Sequence, residues 1–137
     1  MAKRTYLDSG VLLAAFIRKD DVGRRAFEVL DDPQRELLVS DAVWLEVMPK
    51  AIHEKQNVEV QFYEAVFAQA QRLAWSISSL FQATEIASQY GIAAMDAIHV
   101  AHAVDAGAEE LVTTEKTTKP MFRVQNIAVR SIQEEIV

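Results

Sequence analysis

Thr5-Tyr6-Leu7-Asp8-Ser9-Gly10-Val11-Leu12-Leu13 changes its hydrophobic period partway through. Thr5 to Leu7 reads as a short strand, after which Val11, Leu12, Ala15 and Phe16 recur at helical spacing. Asp8 stands at the join, and Gly10 lies one residue before the helical stripe begins. In an open α/β sheet the carboxyl ends of the strands form one edge, and ligands bind there. An acid that closes a strand in this way is therefore a candidate for chemistry.

Working outward, strand and helix signals alternate along the chain. Arg18-Lys19-Asp20-Asp21 is a polar break, and Gly23 to Leu30 reads as a helix with Ala26, Phe27 and Leu30 inward, ended by Asp31-Asp32-Pro33. Leu37-Leu38-Val39 is a buried strand. Ser40 or Asp41 caps the helix that follows, which the sequence carries to about Met48 before Pro49. Lys50 to Asn57 reads as a turn and Val58 to Leu73 as a helix, with Phe62, Tyr63, Val66, Phe67 and Ala70 apolar. Trp75-Ser76-Ile77 is a weak third strand. Leu80 to Tyr90 is a helix capped by Gly91, and Ala94 to Ala106 another closed by Gly107. Leu111-Val112-Thr113 and Ile127-Ala128-Val129 complete the strands. Strands separated by helices predict an α/β fold, a mostly parallel sheet with helices on both faces, in one domain over residues 1–137.

Composition narrows the function. At 137 residues the chain is long enough to bury about two thirds of its unfolded surface. With 14 basic against 20 acidic residues, the net charge of -6 argues against coating nucleic acid by bulk charge. A local basic rim stays open, with Arg18, Lys19, Arg24, Arg25, Lys50, Lys116, Lys119 and Arg123 as candidates. The chain has no cysteine, so it has no thiol chemistry or disulfides, which suits a cytoplasmic location. The longest uninterrupted apolar run, Val11 to Ile17, is far short of the roughly 20 residues that span a bilayer.

Four acids lie beside strand ends or helix starts. Asp8 ends the first strand, Glu46 sits on the helix after the second, Asp96 opens a helical run, and Glu115 closes Glu110-Leu-Val-Thr-Thr-Glu115. Gathered at one sheet edge, such carboxylates repel: two unit charges ~4 Å apart cost ~4 kcal/mol at an effective dielectric near 20. A hard divalent cation bound through carboxylate oxygens is the usual relief. The pattern points to a metal-dependent hydrolase.

Three segments carry a family resemblance: Thr5 to Leu13, Tyr90-Gly-Ile-Ala-Ala-Met-Asp-Ala-Ile-His-Val-Ala-His-Ala103, and Leu111-Val-Thr-Thr-Glu115. Together they resemble the PIN-domain nucleases, especially the VapC-type toxins, from Thr5 to about Val129. The resemblance implies a three-layer α/β/α sandwich and a ribonuclease that uses Mg2+ or Mn2+. It also implies a toxin–antitoxin pair, with a small antitoxin partner and a homodimer. Asp8 matches the family's first metal-binding Asp, Glu46 its helix-three Glu, and Asp96 the acid of its Asp-Ala-x-His motif. Glu115 falls where the family has an Asp in Thr-x-Asp. Two departures stand out: Glu115 is one methylene longer than that Asp, and Ala93-Ala94 replaces the capping Ser or Thr often found before the Asp96 helix.

Other readings fare worse. His99 and His102 share a helix with Asp96, but no third nitrogen or thiolate ligand accompanies them, which argues against zinc and leaves His99 as a polar residue near the site. A phosphorelay receiver needs an acceptor Asp at its third strand, where Trp75-Ser-Ile-Ser-Ser79 has none. A haloacid-dehalogenase-like phosphatase wants a second Asp where this chain has Gly10. With 4 glycines there is no Gly-rich phosphate loop. The serious alternative is a PIN scaffold without activity that serves as a binding module. The Phe62, Tyr63, Val66 and Phe67 cluster reads first as core, and more sharply as a dimer or antitoxin surface.

Overall fold

The computed structural model describes residues 2–135. In chain order the elements are β1 (Lys3–Leu7), α1 (Ser9–Ile17), α2 (Asp21–Leu30), β2 (Arg35–Ser40), α3 (Asp41–His53), α4 (Asn57–Gln69), β3 (Gln71–Leu73), α5 (Ile77–Tyr90), α6 (Ala94–Asp105), β4 (Glu110–Thr113), a 3-10 turn (Pro120–Arg123) and β5 (Ala128–Ser131). The strands form one sheet in the order β3-β2-β1-β4-β5. Every pairing in it is parallel, with Tyr6 beside Leu38 on one side and Leu111 on the other. Parallel neighbours require crossovers, and the helices supply them. Helices α1 to α4 pack against one another on one face, while α5, α6 and the 3-10 turn cover the other. The result is the expected α/β sandwich. The central strands are buried on both faces, which is why they read as near-continuous apolar runs and not as alternation.

Glycine matters where elements approach closely. A Cβ on Gly23 would stand 2.7 Å from the Arg18 Cα and 2.9 Å from the Ala14 carbonyl oxygen, so only glycine lets α2 start against the end of α1. Gly91 ends α5 at φ 66°, a left-handed value that costs other residues energy.

Two expectations need correction. Helix α3 runs through Pro49 to His53 instead of stopping at Met48. Met48 and Ala51, on either side of the proline, are both buried, and this packing outweighs the lost backbone hydrogen bond. Helix α4 stops at Gln69, and the edge strand is Gln71–Leu73, not Trp75 to Ile77. Trp75 and Ile77 are instead 44% and 74% exposed, and Ser76 caps α5 in a reciprocal pair with Ser79. The true edge strand is polar and short, so it carries no apolar signal. The Phe62–Phe67 cluster is mainly interior, in line with its first reading as core: Tyr63, Val66 and Phe67 are buried, and Phe62 packs against the core and the Phe16 ring. No helix among the described residues is long and apolar enough to cross a membrane.

Candidate active site

Asp8 follows β1 directly and occupies the N-cap position of α1, yet its carboxylate makes no capping bond to the helix. That side chain is held from the next strand instead. The Thr113 hydroxyl at the end of β4 donates to Asp8 Oδ2 at 2.9 Å, and the Ser9 hydroxyl to Oδ1 at 3.3 Å. The Asp8 backbone N–H bonds the Val112 carbonyl at 3.1 Å. Gly10 allows α1 to turn closely past this point, because a Cβ there would collide with the Thr114 side chain. Asp8 is thus a buried carboxylate with a fixed direction.

Glu46 arrives from α3, whose start is fixed by Ser40: the hydroxyl of this N-cap accepts the Val43 N–H at 3.3 Å. Its Oε1 lies 2.6 Å from His99 Nε2 on α6, and the same nitrogen is 3.8 Å from Asp8 Oδ1. Donor atoms of Asp8, Glu46 and His99 all lie within 4.8 Å of one another. Two carboxylates from different elements at this spacing, with an imidazole beside them, offer the oxygen donors that a hard divalent cation takes.

Asp96 sits in the first turn of α6, half-buried, after an N-cap at Ala93 that gives no side-chain bond, as its sequence suggests. Partial burial, then the charges of Asp8, Glu115 and Glu46, push its carboxyl above the usual range, with His99 opposing. Glu115 follows β4; its backbone N–H bonds the Thr113 hydroxyl at 3.1 Å and its carbonyl accepts from the Ser131 hydroxyl at 2.6 Å. Its charge reaches Asp96, but its carboxylate stands outside the tight group. Asp96 thus feels the other three acids at one edge of the sheet.

Crowding alone would raise the Glu46 carboxyl as it raises that of Asp96. Glu46 departs from that rule. Burial would push it up, but the hydrogen bond and charge of His99 outweigh burial and hold it below the usual range. Burial likewise favours neutral His99, and the Glu46 bond with the charges of Asp8, Glu46 and Asp96 wins, raising it.

His99 is the residue that sequence reasoning undervalued. It is 1% exposed, and its Nδ1 bonds the Tyr6 hydroxyl at 2.8 Å, which in turn lies 2.7 Å from Ser40 Oγ. The signal in the sequence is its place one turn after Asp96, as the histidine of Asp96-Ala97-Ile98-His99. His102 does not join the site: it is buried edge-on against Trp75. Of the candidate basic residues, Arg18 stacks on Phe27, Arg24 pairs with Glu28 and Glu135, and Arg25 bonds the Ile132 and Gln133 carbonyls. These are structural contacts. Lys19, Lys50, Lys116 and Lys119 remain exposed.

A parallel five-stranded sheet between helices, with acids at its carboxyl edge, defines the class, and the sequence confirms it by matching the PIN domain family over residues 5–119. The chain belongs to that family. No curated protein matches it. Among solved structures it is similar to a toxin–antitoxin complex from Klebsiella pneumoniae, with a TM-score of 0.74 at 21% identity, covering 96% of this chain and 99% of that one. VapBC2 from Rickettsia felis, bound to a DNA fragment from its promoter, aligns with a TM-score of 0.71 at 19% identity over 93% and 98%. VapC20 from Mycobacterium tuberculosis, a Sarcin-Ricin loop cleaving toxin, aligns with a TM-score of 0.64 at 13% identity over 78% and 86%.

Proposed function

We propose that this chain is a divalent-metal-dependent endoribonuclease, the toxin of a type II toxin–antitoxin pair, built as a single PIN domain. The observation that carries the reading is the approach of the Asp8 and Glu46 carboxylates to within 4.8 Å of each other, with His99 against them and a half-buried Asp96 beside them. Asp8 and Asp96 are the direct ligands, Glu46 ligates or orients the attacking water, and Glu115 completes the site through water. Mg2+ or Mn2+ is the ion that this acid set suits. When bound, the ion supplies Lewis acidity to a phosphodiester and lowers the pKa of water. Thr113 and Ser9 keep Asp8 aimed at the edge. No nucleophilic side chain is needed.

Support for a toxin comes from the neighbours, several of which are toxin–antitoxin complexes. In this reading the protein is a cytoplasmic homodimer and binds a small antitoxin. Ile77, Leu80 and Phe81 in the first turns of α5, all exposed, offer apolar surface for a protein partner. The test is direct: purified protein is incubated with structured RNA and Mg2+ or Mn2+, then with excess chelator. Cleavage that stops with chelator is expected. Cleavage that survives it contradicts the mechanism, and none with either metal favours an inactive scaffold.

A further inference from the structure

Tyr6, Ser40 and His99 form one buried chain of hydrogen bonds that ends on Glu46. Its members sit on the three elements that deliver the acids. Tyr6 lies two residues before Asp8, Ser40 caps the helix that carries Glu46, and His99 is one turn after Asp96. Ser40 Oγ accepts the Val43 N–H and shares a hydrogen bond with the Tyr6 hydroxyl. An ionised carboxylate only accepts, so His99 Nε2 carries the hydrogen of the 2.6 Å bond to Glu46 Oε1, while Nδ1 faces the Tyr6 hydroxyl at 2.8 Å. A nitrogen that carries a hydrogen aimed at a carboxylate does not ligate a cation.

We propose that His99 is a positioning residue: clamped between Tyr6 and Glu46, it fixes the Glu46 carboxylate toward Asp8 before any cation arrives. This rests on the metal reading above. Glu46 needs such a brace, because its side chain is long and 32% exposed, whereas the imidazole beside it is rigidly buried. Partners that hold ligating groups from outside set metal affinity strongly, and losing one costs about 10–100-fold.

The experiment is calorimetric titration of the full chain with Mn2+ alone, for wild type, His99→Leu, His99→Gln and Tyr6→Phe, with melting temperatures beside it. His99→Leu is expected to weaken Mn2+ binding by about 10–100-fold. His99→Gln, which keeps a donor toward Glu46, is expected to recover most of that loss, and Tyr6→Phe to show a smaller loss in the same direction. A purely structural role would lower both melting temperatures without separating Leu from Gln in affinity. Pulsed electron paramagnetic resonance on the Mn2+ complex is expected to show no directly bound nitrogen. Wild-type affinity in His99→Leu, or a nitrogen bound to Mn2+, overturns the proposal and leaves the metal site standing. If His99→Leu does not fold, wild-type affinity in Tyr6→Phe overturns it instead. Wild type that takes up no Mn2+ overturns the metal reading and this proposal together.

Discussion

Asp96 and Glu115 share a charge but not a setting. Asp96 is half-buried and feels Asp8, Glu115 and Glu46 together, while Glu115 stands at the margin with a longer side chain. Asp96→Asn is expected to lower the rate of RNA cleavage by about 10²–10³-fold, the scale on which removing one preorganised electrostatic group slows an enzyme. Glu115→Gln is expected to cost about tenfold, as an outer partner would. Single-turnover cleavage at saturating Mg2+ compares them, and equal losses would make Glu115 a first-rank ligand. Asp8 and Asp96 were legible in the sequence because a strand end and a helix start are local patterns. His99 and Tyr6 were not, because what gives them meaning is contact with Glu46 and Ser40, residues far away in the chain. The same holds at the opposite end of the sheet. Glu110, fully buried, accepts from the Thr5 hydroxyl at 2.7 Å and from Arg35 Nε at 3.0 Å. Burial would raise its carboxyl, but the Thr5 bond, then Arg35 and the Lys3 charge, outweigh burial and hold it below the usual range. A depressed folded value means the stabilisation is full above the unfolded pKa of ~4.3 and is lost as pH falls through the folded value. Glu110→Gln is therefore expected to cost about 1.5–3 kcal/mol at pH 7 and progressively less in acid. Urea unfolding from pH 7 to pH 3 reads this, and a difference that stays constant with pH contradicts it.

Helix α3 shows where sequence rules meet packing. Pro49 donates no hydrogen bond and crowds the Leu45 carbonyl, so the helix carries an internal penalty three residues after Glu46. Pro49 is exposed, and the buried side of the helix is formed by Val43, Val47, Met48 and Ala51. Pro49→Ala is expected to stabilise the protein by about 1–3 kcal/mol, measured by urea unfolding. A loss of stability would show that the proline is needed to shape the helix under Glu46. The elements with strong apolar periods, β1, β2, α2, α6 and β4, were readable from the sequence. The edge strand β3 was not, since Gln71 and Arg72 are exposed and its pairing is decided by Leu38 and Val39 next door. Trp75 and Ile77 misled because exposed apolar residues mimic a strand when the partner surface is unseen.

At the scale of the molecule, a parallel sheet with helices on both faces collects the ends of β1, β2 and β4 at one edge, so acids as far apart in the chain as Asp8 and Asp96 bear on one another there. The fold class followed from the sequence; the placing of the four acids relative to one another required the sheet order. If the acids are one site, the metal-free protein holds like charges together, and a cation relieves them. The most direct test is a pair of thermal melts at neutral pH, wild type against Asp96→Asn, with and without Mg2+. Without metal, Asp96→Asn is expected to melt no lower than wild type. Added Mg2+ is expected to stabilise wild type by about 2.7 kcal/mol at a hundredfold excess over its dissociation constant, and Asp96→Asn far less. Asp96→Asn melting lower without metal, and gaining as much from Mg2+ as wild type, would mean that the acids are not one site and would contradict the nuclease reading.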